Sequence, residues 1–154
     1  MTYADLSQIS QIELVYKRKI KASDRPKVKR SQDAEKLFRQ NWNDCNMDLC
    51  EEFKILFLDR NNDCMGISSL SKGGVSGTIA DPKIIFATAL KVRANSIICA
   101  HNHPSGCLDP SYADVILTKR LVQVGKYLTL PVNDHLILTR EGYYSMTDNG
   151  LIPN

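Results

Sequence analysis

His101, Asn102 and His103 follow directly on Ser96-Ile97-Ile98-Cys99-Ala100, a short apolar run of the kind that forms a buried strand. On an extended chain residues i and i+2 point to the same side, about 6.6 Å apart along the backbone, so both imidazoles reach one ion. Ser111 and Asp114 stand three apart where Asp109-Pro110-Ser111 opens a helix, so they share a face. The seven-residue loop 104–110 joins that strand end to that helix start. Two imidazoles and a carboxylate therefore converge. His101, His103 and Asp114 make three ligands, and a tetrahedral zinc ion keeps a fourth position for water. Iron or manganese accepts the same ligand types.

Two neighbouring histidines alone would be ordinary surface polarity. Here the chain holds three histidines in all, and two of them take this spacing with a serine and an aspartate in register. The third, His135, precedes Leu136 and Ile137 in a predicted strand. It is either a hydrogen-bond partner that orients a ligand histidine or a satisfied structural residue. Cys107 lies close to the pair, and would be a nucleophile only if a base were free to activate it. The five cysteines form no CxxC pair, which argues against a disulfide framework or a thiolate zinc site.

The surrounding elements follow from pattern. Ile12, Leu14 and Tyr16 alternate as a strand that Asp24-Arg25-Pro26 breaks. Ser31 reads as the N-cap of a helix carrying Leu37, Phe38 and Trp42 on its apolar face, which ends by Asn43 to Asn46. Glu51 to Asp59 is too continuously apolar for an edge and reads as a central strand. Arg60-Asn61-Asn62-Asp63 turns it into a returning strand from Cys64 to Leu70. Asp81-Pro82 starts a helix, with the Asp as cap and Pro at the first helical position. Asp109 and Pro110 repeat that device, which would leave Ser111 free for the site. Residues 131–139 and 143–146 are the last strands. This order predicts an α/β (α+β) fold, a mixed sheet with helices packed on it.

His101-x-His103-x(7)-Ser111-x(2)-Asp114 resembles the JAMM metalloprotease motif of the JAB/MPN superfamily. The wider string His101-Asn-His-Pro-Ser-Gly106, with Pro110, Thr118 and Asp134-His135, is similar to the RadC-like members, over about residues 50 to 146. The resemblance implies a mostly antiparallel sheet flanked by helices, in the JAB/MPN (cytidine-deaminase-like) architecture. A division follows in which 1–46 form a strand, a basic segment and a helix packed on a domain at 47–154. It also implies a glutamate base at the start of an apolar strand. Aligning Phe53 and Asp59 places it at Glu51, with Glu52 the fallback. Strand alternation lets only one of the two face the metal, and Glu52 shares its side with Lys54, an expected surface pair. Ser111 would then stabilise an oxyanion or, alternatively, cap its helix. The implied activity is zinc-dependent hydrolysis of a peptide or isopeptide bond in a protein substrate.

Charge offers a second class of function. Eight Lys or Arg from Lys17 to Arg30 face Asp24 alone, so this window carries +7 while the rest of the chain is net −4. Such a stripe is an expected weak nucleic-acid contact, or else a solvated surface. Larger RadC-like proteins carry a helix-hairpin-helix region, but about 50 residues precede Glu51 and no glycine precedes Gly66. That argues against DNA binding and the DNA-repair label. A second copy of the chain is a further expected partner. With 154 residues, 43% of them hydrophobic, and no apolar run near the ~20 of a membrane span, a cytoplasmic single domain is expected.

Overall fold

The structure, a computed structural model, describes Ser10, residues 19–73 and residues 80–153. The expected strand at Ile12 to Tyr16 lies outside the described residues. After a short 3₁₀ turn at Ala22–Asp24 come α1 (Ser31–Gln40), β1 (Glu52–Leu58), β2 (Cys64–Lys72), α2 (Pro82–Lys91), β3 (Ser96–Asn102), α3 (Tyr112–Tyr127), β4 (Val132–Leu138) and β5 (Tyr143–Ser145). The strands make one sheet in the order β2-β1-β3-β4-β5. Every pairing is antiparallel except β3 with β4, which α3 joins as a crossover. No helix among the described residues is long and apolar enough to cross a membrane.

All seven residues of β1 and of β3 are buried, because helices cover both faces of the sheet. Phe53, Ile55, Phe57, Ile97 and Cys99 point toward α2 and α3 and pack with Ile85, Phe86, Ala89 and Leu121. Leu56, Leu58, Ile98 and Ala100 point the other way, onto Val28, Ala34, Phe38 and Trp42. Phe38 is fully buried there, worth about 1.5–3 kcal/mol against exposure. This alternation decides the direction of the residues that extend the strands. His101 falls on the α3 face and Asn102 on the α1 face.

Helix starts agree with expectation once and differ twice. Asp81 caps α2 by accepting the Lys83 N–H at 2.9 Å, with Pro82 at the first position. At α1, Ser31 is the first helical residue and not the cap, because its hydroxyl is spent on Asp148 and the Tyr143 hydroxyl. The Asp33 carboxylate instead accepts the N–H groups of Lys29 and Arg30, each at 3.0 Å. At α3 the cap is Ser111, not Asp109. The far end of α3 closes onto β4 at Gly125, where a Cβ would sit 2.5 Å from the Leu130 carbonyl oxygen. Only glycine permits that approach.

Candidate metal centre

β3 delivers His101 at its end, and the His103 N–H still donates to the Leu138 carbonyl at 2.9 Å, so the extended backbone continues past the strand. The two imidazoles consequently emerge together, with Nε2 atoms 2.9 Å apart. Asp114, in the first turn of α3, brings its carboxylate oxygens to 3.2 Å from His101 Nε2 and 3.3 Å from His103 Nε2. Ser111 fixes that carboxylate through a reciprocal capping box. Its N–H donates to Asp114 Oδ2 at 2.7 Å, and its hydroxyl accepts the Asp114 N–H at 3.1 Å. His101, His103 and Asp114 are a set that could hold a metal ion, with one donor atom each within 4.8 Å of the others.

The hydrogen-bond network determines which ring nitrogens carry protons. Thr118 Oγ1 has one hydrogen, and the Asp114 carbonyl 2.7 Å away can only accept it. His135 Nδ1, 2.6 Å from the same oxygen, must therefore donate. Its Nε2 is then bare and accepts from His101 Nδ1 at 2.8 Å. This leaves His101 Nε2 as a bare lone pair. His103 Nδ1 likewise donates to the Cys107 carbonyl at 2.7 Å, which bares its own Nε2. In the neutral pair two lone pairs and a carboxylate converge with no proton between them. The donor set fits a divalent cation of zinc's preferences: two imidazoles and a carboxylate, tetrahedral, with one position open.

The electrostatics point the same way. The Asp114 carboxylate raises the His103 pKa above its ordinary value, against burial, with the Cys107 carbonyl and the Glu51 charge adding to the rise. Burial would raise the Asp114 pKa, but His101 and His103 hold it far below the carboxylate range. His135 is driven well below the ordinary histidine value, first by burial and then by the charge of His101. The pocket favours positive charge at one point, with a neutral imidazole behind it. Cys107 is exposed and its carbonyl accepts from His103 Nδ1 while Asp114 engages Nε2, so neither ring nitrogen of His103 is left to activate the Cys107 thiol.

The two glutamates separate by strand parity. Phe53 pairs with His101 in register and stacks on it with ring centroids 6.2 Å apart. Glu51 has the parity of Phe53, and its charge reaches His103. Glu52 points to the opposite face. There its Oε1 accepts from Asn46 at 2.7 Å, and its Oε2 lies 3.5 Å from Lys54 Nζ. That pair was expected at the surface. Its side chains are only 9% and 7% exposed, because Trp42 and the loop after α1 lie over them.

The basic stripe is partly neutralised. Arg25 pairs with Asp59 at 3.1 Å, Lys27 with Asp63 at 3.4 Å and Arg30 with Asp33 at 3.8 Å. Lys17 and Arg18 lie outside the described residues. Sequence reasoning assigned nothing to Thr118 or Asn102, although both stand in the string that carries the family resemblance. A threonine one turn after Asp114, on the same helix face, is the signal the sequence offers.

The family model described as "RadC-like JAB domain" matches residues 28–151. A UPF0758 protein of Flavobacterium johnsoniae is 45% identical over 101 residues, which is 66% of this chain and 44% of that one. The UPF0758 protein of Alkaliphilus oremlandii is 35% identical over 126 residues, 82% of this chain and 53% of the relative. UPF0758 protein YkfG of Escherichia coli K12 is 41% identical over 102 residues, 66% of this chain and 65% of the relative. The match thus spans 44% to 65% of these relatives' own length, and their names state no activity.

Proposed function

The chain belongs to the RadC-like JAB domain family, and from that premise we propose that it is a zinc-dependent hydrolase of peptide or isopeptide bonds. One observation carries the reading: His101 Nε2, His103 Nε2 and the Asp114 carboxylate converge within 3.3 Å of each other. Zinc held by these atoms would lower the pKa of water from 15.7 toward ~7 and polarise a substrate carbonyl.

The chain's own residues divide the remaining work. Glu51, just before β1 and with the parity of Phe53, takes the proton of the attacking water. Oxygen adds to the carbonyl carbon, and the Ser111 hydroxyl stabilises the oxyanion that forms. That hydroxyl accepts the Asp114 N–H through a lone pair, so its hydrogen remains to be donated. When the C–N bond breaks, Glu51 returns the proton to the leaving amine.

The test is release of free amine from a panel of peptide and ε-linked isopeptide amides by the zinc-loaded protein. Hydrolysis that a chelator abolishes, zinc restores and Glu51→Gln lacks supports the reading. Hydrolysis that persists in the chelator, or in His103→Ala, overturns it.

A further inference from the structure

Asn102 stands between the two ligand histidines, yet it points to the other side of the sheet and is fully buried. Its Oδ1 accepts the Glu52 N–H at 2.7 Å. Its Nδ2 donates one hydrogen to the Met47 carbonyl at 2.8 Å and the other to the Cys50 carbonyl at 3.0 Å. The Cys50 carbonyl belongs to the peptide unit before Glu51, and the Glu52 N–H to the unit after it. One planar amide therefore grips both peptide units that flank Glu51.

We propose that Asn102 is a positioning residue for Glu51, a ruler that sets the distance between the candidate base and the metal ligands. The proposal rests on the hydrolase reading for the role of Glu51, but the placement itself does not. Glu51 lies just before β1, where its carbonyl accepts the Gly73 N–H at 2.8 Å and ties it to the end of β2. The segment from Asn41 to Glu51 contains only short turns. Without a lateral clamp its backbone could rotate and swing the carboxylate away. Asn102 shares its backbone with His101 and His103, so any shift of the ligands carries the clamp along.

The chemistry requires asparagine. The position needs one acceptor and two donors in a plane, held by a short side chain. Leucine has the shape but would leave an N–H and two carbonyls unpaired in the interior. Aspartate keeps the acceptor and turns an oxygen against two carbonyl oxygens. Glutamine is one methylene too long for a site with no exposed surface.

The experiment combines amide hydrogen exchange with a double-mutant cycle on binding of Zn²⁺ alone. In Asn102→Ala the Glu52 amide should exchange at least about tenfold faster, while Ile98 and Ala100 in β3 keep their protection. The charge of Glu51 acts on the metal pocket, so displacing it should weaken Zn²⁺ binding by roughly threefold or more in the wild-type background. With Glu51→Gln already present the same change should cost less than about twofold. Unchanged Glu52 exchange overturns the proposal, as does an equal loss of Zn²⁺ affinity in both backgrounds, or no loss in either. If Asn102→Ala does not fold, Asn102→Asp takes its place, read at the Leu49 and Cys50 amides, which should exchange faster. A wild-type protein that takes no Zn²⁺ sinks the hydrolase reading, and the exchange measurement alone then decides the role of Asn102.

Discussion

His135 Nε2 lies 2.8 Å from His101 Nδ1, on the side of the imidazole away from Asp114, and Thr118 holds the far nitrogen of His135 at 2.6 Å. The third histidine, for which two roles stood open, is thus fully buried and hydrogen-bonded to the candidate ligand His101. It sets the tautomer that leaves His101 Nε2 bare.

Replacing His135 should therefore act on the metal site from one residue away. His135→Ala is expected to weaken zinc binding by about 10- to 100-fold, the usual scale for losing a partner behind a ligand histidine. Thr118→Val, which removes the acceptor for His135 Nδ1, should act in the same direction. Competition titration against a chromophoric chelator measures both. Affinity unchanged in both variants would mean that another group sets the His101 tautomer.

Glu51 and Glu52 should separate chemistry from folding. Glu51→Gln is expected to keep the fold and the metal and to lose hydrolysis. Glu52→Gln leaves Lys54 buried without its carboxylate, and losing one partner of a buried pair costs about 3–5 kcal/mol. Denaturant unfolding of the two variants beside the wild type tests this. Loss of stability in Glu51→Gln and not in Glu52→Gln would reverse their assignment.

How much of this was legible beforehand depends on what each feature needs. Strand parity after Ala100, the Asp81-Pro82 start of α2 and the convergence of His101, His103 and Asp114 follow from short-range patterns, and the structure has them where the sequence puts them. The α3 cap differs from the expected one because Asp109-Pro110 and Ser111-x-x-Asp114 are both legitimate helix starts, two residues of register apart. Asp114 decides between them, since its carboxylate reaches back to the Ser111 N–H. Ser31 was misread for a different reason: its partners, Tyr143 and Asp148, lie more than a hundred positions away. Asn102 meets partners 50 to 55 positions earlier, and the surroundings that bury Glu52 and Lys54 form only once the sheet and the loop after α1 are assembled.

Ser111→Ala should now lower both stability and rate. Losing the cap costs about 1 kcal/mol, or roughly 2–4 °C in Tm for a domain of this size. Losing the hydroxyl donor should reduce kcat by about a hundredfold or more with little change in KM. Thermal unfolding and steady-state kinetics on one preparation give both numbers. A lowered Tm with unchanged kcat would confine Ser111 to the cap.

Asp59 gives an acid-stability prediction away from the site. Burial opposes its charge, but the N–H groups of Asp63 and Asn61 and the Arg25 guanidinium outweigh burial and hold its pKa below the usual carboxylate value. A carboxyl depressed in the folded state stabilises it above the unfolded pKa of about 3.9, and that stability is lost as pH falls through the folded pKa. Asp59→Asn should be less stable than wild type at pH 7, with the gap narrowing below about pH 4. Urea midpoints between pH 7 and pH 3 report it, and a constant gap would show that Asp59 acts by shape alone.

The most direct measurement is metal content by elemental analysis, on wild type, His101→Ala, His103→Ala and Asp114→Ala prepared side by side from zinc-supplemented growth. The convergence of His101, His103 and Asp114 predicts about one zinc per wild-type chain and far less than one in each variant. Equal metal in the wild type and in all three variants, or none in a folded wild-type protein, would contradict the metal centre and with it the hydrolase.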